Sequence, residues 1–227
     1  MDLPPPPSSA DEGLLGALER LPMFPLPGVV LFPNALLPLH IFEDRYRKMA
    51  RDVLATHRHV AMAFLKSADD ALVPGSPAVK PVMGVGEIVV AHELPDGRFN
   101  VVLRGVARVR LDSELATEEP YRLIAASLRV DLPASDPQEL RDADQSLRAL
   151  VGRLAKEVLE GGELLRQMVL SHSTPAEFVD VLAAAILVEP GKRQRLLELR
   201  NVVKRIEIVS SRVADMIRRT SVESPSN

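Results

Sequence analysis

His57 and His59 flank Arg58, and on an extended strand that spacing of two turns both imidazoles to one face, as some metal ligands are arranged. No third ligand type lies near them in sequence, so the expectation is a solvated pair at the start of a strand, with no metal bound. Ser171-His172-Ser173 brings together a nucleophile type and a base type. Adjacent residues at a helix end point apart, however, and no G-x-S-x-G elbow occurs. Asp69-Asp70 and Glu118-Glu119 are carboxylate pairs in loop-like sequence, where solvation is expected ahead of general acid–base work. Gly191-Lys192 lacks both the upstream glycine and the following hydroxyl of a phosphate-binding loop. Gly84-x-Gly86 meets Val89 where a dinucleotide loop needs glycine. With no cysteine in the chain, a thiol nucleophile, a disulfide framework and a thiolate metal site are excluded. These residues predict a protein that is not an enzyme, with no catalytic residues and no cofactor.

The elements that would carry any site follow from the wider pattern. A chain of 227 residues, 46% hydrophobic, has enough apolar side chains for one large domain or two modest ones. Its 28 basic and 31 acidic residues leave a net charge of −3, opposite to the balance of a strongly basic nucleic-acid binder. The opening MDLPPPPSSADEG has neither the basic nor the apolar region of a secretory signal, and no apolar run approaches the ~20 residues that cross a bilayer. A cytoplasmic protein with no membrane partner is the expectation.

Leu21 to Tyr46 reads LPMFPLPGVVLFPNALLPLHIFEDRY, with five prolines among strand-forming residues. Proline has no N–H for a ladder, so this run predicts two short extended pieces, near Met23–Leu26 and Ala35–Ile41, with prolines at strand ends or edges. Leu39 and Ile41 alternate with His40 and Phe42, which are read as structural. From Glu43 the period becomes helical, through Tyr46, Met49, Ala50, Val53 and Leu54, and Tyr46 is expected to anchor that helix. Residues 59–65 read as a buried strand. Residues 66–81 form a long loop, of the kind that is functional or mobile. Residues 82–92 and 99–111 form a hairpin about Pro95-Asp96-Gly97-Arg98, with a bulge predicted at Gly105. A last strand spans residues 121–130.

Beyond Pro133 the chain turns helical. Asp136-Pro137-Gln138-Glu139 and Thr174-Pro175-Ala176-Glu177 both read as capping boxes with proline at the first helical position. Leu164, Leu165, Met168 and Val169 predict a short helix between them. Leu196, Leu199, Val203, Ile206, Val213 and Ile217 predict one long amphipathic helix. Residues 192–219 hold nine Lys or Arg against three acidic residues, and helical spacing places them on a solvated outer face. The expected organisation is a Pro-rich tail over 1–20, a β-rich domain over 21–133, a helical bundle over 134–220 and a disordered tail over 221–227. The fold class is α+β.

The opening segment resembles the start of the Lon-protease N-terminal (substrate-binding) domain family, roughly LPxFPLxxVLFPxxxLPLxIFExRY. Met83-Gly84-Val85-Gly86-Glu87-Ile88, Leu94-Pro95-Asp96-Gly97-Arg98, Gly105-Val106-Ala107-Arg108 and Pro120-Tyr121 resemble its later strands and turn. Gln194-Arg195-Leu196-Leu197-Glu198 followed by Arg205 resembles its QxLLE…R helix. The resemblance covers most of residues 21–210. It implies a PUA-like pseudo-barrel followed by helices, in a bacterial, stand-alone member without the ATPase and peptidase domains.

The same resemblance implies a non-catalytic module that binds unfolded or exposed protein segments, by strand addition to a barrel edge or by side-chain docking in a groove. Candidate peptide-binding residues are Asp44 and Arg45 at the first helix, Leu72 and Val73 in the long loop, and Arg98 in the hairpin turn. Two alternatives stand beside this reading: an adaptor docking on a separate ATP-dependent protease, and an RNA-binding PUA-like module. The second needs stacking aromatics, and at 4% aromatic residues with no Trp the chain offers few, so no nucleic-acid partner is expected. A homo-oligomer through the C-terminal helix would raise avidity.

Overall fold

The computed structural model describes residues 12–66, 77–158 and 160–223. Contacts divide the chain into two compact units. One runs up to Leu31 and resumes over Leu36–Arg129; the other takes in Phe32–Ala35 and the chain from Val130 onward.

The first unit is built on six strands: β1 (Leu21–Leu26), β2 (Leu36–Ile41), β3 (His59–Phe64), β4 (Val82–Glu93), β5 (Phe99–Leu115) and β6 (Arg122–Leu128). Their order is β2-β5-β4-β3-β1-β6, and β5 also pairs with β6. The strands β1, β3, β4, β5 and β6 therefore close on themselves as a small barrel, and β2 stands outside it on one half of β5. β5 is long enough to serve both partners. Its residues 99–104 pair with β2 and residues 109–115 with β6. The bulge expected at Gly105 is present. Val85 faces Ala107 while Gly86 faces Gly105, which leaves Val106 as the extra residue.

β1 shows how a proline-rich strand can sit inside a barrel. Leu21 and Pro22 pair with β6, Phe24 and Pro25 pair with β3, and Met23 alone meets both. Each proline thus occupies a half of β1 paired on one side, where its missing N–H can face away from the ladder. The folded unit starts ahead of Leu21. α1 (Glu12–Ala17) and a 3-10 turn (Leu18–Arg20) precede β1, and Leu14 and Ala17 are buried with Leu21, Met23, Val85 and Ile124. Gly84 is required by close approach, because a Cβ there would lie 1.9 Å from the Leu31 carbonyl oxygen. α2 (Asp44–Leu54) buries Tyr46, Met49, Ala50 and Val53, and the Tyr46 ring stacks at 4.2 Å on Phe24.

The second unit holds α3 (Pro137–Glu157), α4 (Gly162–Ser171), α5 (Pro175–Ile186), α6 (Pro190–Glu198) and α7 (Val202–Glu223). At α5 the capping box is reciprocal between Thr174 and Glu177. At α3 only the Asp136 side chain caps, accepting from the Gln138 N–H at 2.7 Å. The single C-terminal helix expected from Leu196 to Ile217 is two helices. The chain leaves helical geometry at Leu199, and the Asn201 side chain accepts from the Lys204 N–H at 3.0 Å, capping a fresh start.

The basic C-terminal stretch is also not uniformly solvated. Arg205 is fully buried and donates to Asp180 and Asp131. The apolar stripe of α7 is already occupied within this unit. Val209, Val213 and Ile217 are buried where α7 packs on α3 and α5, so that stripe is not a free face for a second copy.

Candidate peptide-binding surface

Among the described residues, β2 has a strand neighbour on one side only. Cross-strand register fixes which side chains share its outer face, because directly opposed residues point the same way. Leu36 opposes Arg104, which opposes Glu87. Pro38 opposes Val102, which opposes Val90. His40 opposes Asn100, which opposes His92. Two apolar residues of β2 and two of its neighbours therefore adjoin on one exposed surface, with Leu36 57% exposed and Val90 54%. Arg104 and Glu87 close one end of it as an ion pair at 2.7 Å. At the other end Arg98 donates to His40 Nε2 at 3.2 Å, which directs the opposite ring N–H of His40 to Asn100 Oδ1 at 2.7 Å. Phe42, just past β2, is 62% exposed. His40 and Phe42 are thus not core residues, because the alternation that reads as burial here runs between an outer and an inner sheet face.

The start of α2 is tied to the β4–β5 turn by Arg47. Its guanidinium donates to the carbonyl oxygens of Gly97 at 2.8 Å and Asp96 at 3.1 Å, and to the Asp44 carboxylate at 2.8 Å. Gly97 is at φ +79°, and a Cβ there would strike the Arg47 guanidinium at 2.3 Å. Asp96 in turn accepts from the Arg98 backbone N–H and its guanidinium, and these bonds hold its carboxyl below the ordinary carboxylate range. Asp44 and Arg98, far apart in sequence, are brought into one hydrogen-bonded network.

Arg45 has other partners. It pairs with Glu43 at 2.8 Å, lies 4.5 Å over the Tyr46 ring, and lines an open cleft of about 360 Å³ with Glu114, Glu119, Tyr121 and Arg122. Arg122 pairs with Glu114 and donates to the Pro77 carbonyl. Lys48 bridges Asp52 and Glu119, at 2.7 Å to each. The Tyr121 hydroxyl donates to Asp52 at 2.7 Å. Burial first, and then the hydrogen bond to Asp52, push the Tyr121 phenol above its ordinary value; burial likewise raises Tyr46. Both phenols thus stay protonated, and Glu114, Glu119 and Asp52 each face a cation. The cleft is suited to holding a polar or charged group by hydrogen bonds.

The sequence model of the ATP-dependent protease La (Lon) substrate-binding domain matches residues 20–215. The chain belongs to this family. The Lon protease of Xanthomonas oryzae pv. oryzae is 27% identical over 194 residues, covering 83% of the chain and 22% of that protein. Lon protease 1 of Herpetosiphon aurantiacus is 25% identical over 200 residues, covering 82% of the chain and 24% of that protein. The chain therefore spans about a quarter of the length of these relatives. A Lon N-terminal domain protein from Xanthomonas campestris superposes with a TM-score of 0.57 at 25% identity, over 85% of the chain and 97% of that structure. The N-terminal domain of a Mycobacterium avium complex Lon protease superposes at 0.64 and 17% identity, over 86% and 98%, and shares the fold. The mixed α+β architecture is that of Lon N-terminal domains.

Within this Lon-type fold the other sequence candidates fall as follows. Leu72 and Val73 lie outside the described residues, as do Asp69 and Asp70. The histidine pair is not solvated: His59 is buried, its ring 5.9 Å from that of His57, whose Nδ1 accepts from the His59 backbone N–H. His57 is half-buried, and burial together with the neighbouring His59 lowers its pKa. Among the described residues no group of three or more His, Cys, Asp or Glu could hold a metal ion. His172 turns back onto its own helix, bonding the Met168 carbonyl at 3.0 Å. The Tyr121–Asp52–Lys48–Glu119 cluster escaped sequence reasoning. The four-residue spacing of Lys48 and Asp52 was its one local signal; Tyr121 and Glu119 arrive from a distant strand connection.

Proposed function

We propose that this chain is a non-catalytic module that captures exposed segments of other polypeptides. Membership in the Lon substrate-binding family supports this, since the match extends over that domain and not over protease or ATPase domains. The observation that carries it is the exposed apolar face of β2, where Leu36 and Pro38 stand uncovered beside Val102 and Val90. Burying two or three partner side chains there contributes about 1.5–3 kcal/mol each. Association costs roughly 4–15 kcal/mol, so a single site binds at micromolar strength or weaker, and presentation of several copies would be needed for tight capture.

The experiment is binding of a chemically unfolded, reduced protein to the immobilised chain, with the same protein in its folded state as the control. Saturable binding to the unfolded form alone, with the bound protein recovered intact, is expected. Equal binding to both forms, or none to either, overturns the proposal.

A further inference from the structure

Among the described residues, β2 carries no charged side chain or bulge, and no strand covers its free edge. Its sequence LLPLHI carries five apolar residues and one imidazole. Proteins ordinarily protect such an edge with shortness, lysine, proline, a bulge or a cover, because its unpaired N–H and C=O groups are a template for another strand. The comparison within this unit is direct. Among the described residues the far part of β4, Val90 to Glu93, pairs only with β5, but it follows a register shift and ends in the Glu93–Arg51 ion pair. β2 has neither device; its guard is Pro38, which withholds one N–H from the open edge and leaves the remaining groups available. Among the described residues no hydrogen bond reaches β2 from outside the β2–β5 ladder except those of the His40 ring.

Pro38 sets which backbone groups are free. In an antiparallel pair, opposed residues alternate between exchanging both hydrogen bonds and exchanging none. Pro38 has no N–H to give Val102, so that pair takes the non-bonded place. Leu37, Leu39 and Ile41 then bond β5, while Leu36, Pro38 and His40 turn theirs to the open edge. The edge offers three carbonyls and two N–H groups at alternate positions. Beside them stand the exposed side chains of Leu36 and Pro38.

We infer that β2 takes on an added strand: an extended, uncharged segment of another polypeptide, rich in β-branched or aromatic residues, hydrogen-bonded to Leu36, Pro38 and His40. This rests on the capture reading above and names its occupant and register. Each of the three β2 carbonyls needs an N–H from the incoming chain. The segment therefore cannot carry proline at any of three alternate positions and tolerates it at those between. An apolar groove binding side chains alone imposes no such period.

The test uses a capped heptapeptide of alternating valine and threonine, with backbone N-methyl groups placed one at a time. Methylation at three alternate positions is expected to weaken binding about tenfold each, and at the intervening ones to leave it unchanged. A flat profile overturns the inference. The second arm is Leu36→Pro, which removes one outward N–H at the first residue of the strand, where proline is tolerated. Its thermal midpoint is expected to match the parent while peptide binding falls about tenfold. Should this variant fail to fold, the methyl scan on the unaltered protein decides alone. Capture of an unfolded protein is measured in parallel. If that persists with a flat methyl scan, the added strand is refuted and the capture reading stands; if unfolded protein is not bound, both fall. A concentration-dependent dimer abolished by Leu36→Pro makes the occupant a second copy and also overturns the inference.

Discussion

Arg205 donates through Nη1 to Oδ1 of Asp180 at 2.6 Å, with both side chains withdrawn from solvent. A second guanidinium nitrogen reaches Asp131, ahead of α3. The charge is thus held between α7, α5 and the segment that enters the helical unit. Removing one partner from a buried pair strands the other charge. Arg205→Ala is expected to cost about 3–5 kcal/mol in urea unfolding. Arg205→Met combined with Asp180→Leu and Asp131→Asn should recover much of that loss, because neither carboxylate is then left facing the removed guanidinium.

Gly84 and Gly152 make opposite predictions from the same substitution. Alanine at 84 would drive its Cβ into backbone of Leu31, and backbone cannot swing aside. Gly84→Ala should cost about 1–3 kcal/mol or more. Gly152 lies within α3 with nothing within 4 Å of an added Cβ, so Gly152→Ala should gain about 0.5–1 kcal/mol of helix propensity. Denaturant midpoints of the two variants read both.

His57 should make the fold sensitive to mild acid. Burial and the adjacent His59 lower its pKa below the ordinary 6.5, so the folded chain binds this proton less readily than the unfolded one. The stability from the neutral ring is fully present above the ordinary value and is lost as pH falls through the depressed folded one. Urea midpoints measured at about pH 7.5 and about pH 5.5 should therefore drop on acidification, and His57→Gln should reduce the drop.

Asp52 reports on the cleft from the acid side. Burial pushes its carboxyl up, but hydrogen bonds from Lys48 and Tyr121 outweigh that and hold it below the ordinary 3.8. Its contribution is therefore present above that value and lost as pH falls through the lower folded one. Tyr121→Phe deletes the 2.7 Å bond from the phenol. The variant should lose about 0.5–1.5 kcal/mol at neutral pH, and the Asp52 carboxyl, followed by NMR titration, should move upward.

Local rules made much of the architecture legible. Thr174 and Glu177 announced a capping box because its hydrogen bonds close within one turn. Asp96-Gly97 announced the hairpin turn because φ +79° favours glycine. The break at Leu199 to Asn201 stayed hidden because an apolar period of three and four continues across it, while Asn201 caps from its side chain. The solvated reading of His59 failed for a related reason: no neighbour in sequence shows what covers a ring. Of the peptide-binding candidates, Asp44 and Arg98 come together only through Arg47 and the turn carbonyls.

What the amino-acid order determines by itself is the set of interactions that close over a few residues: the caps, the turn, the helical and strand periods, and the exclusion of proline from a fully paired strand. What only the folded chain decides is which faces remain. Pro38 rules out a ladder donor wherever it stands, yet its place on the last strand of the sheet follows from β5 being long enough to pair with two strands, one along each half. Arg205 carries its charge in any conformation, but only packing of α5 beside α7 sets a carboxylate against it where water is absent. Burial and edge position belong to the whole molecule, because they depend on which distant segments arrive, and the energies that choose among those arrangements are sums over many contacts.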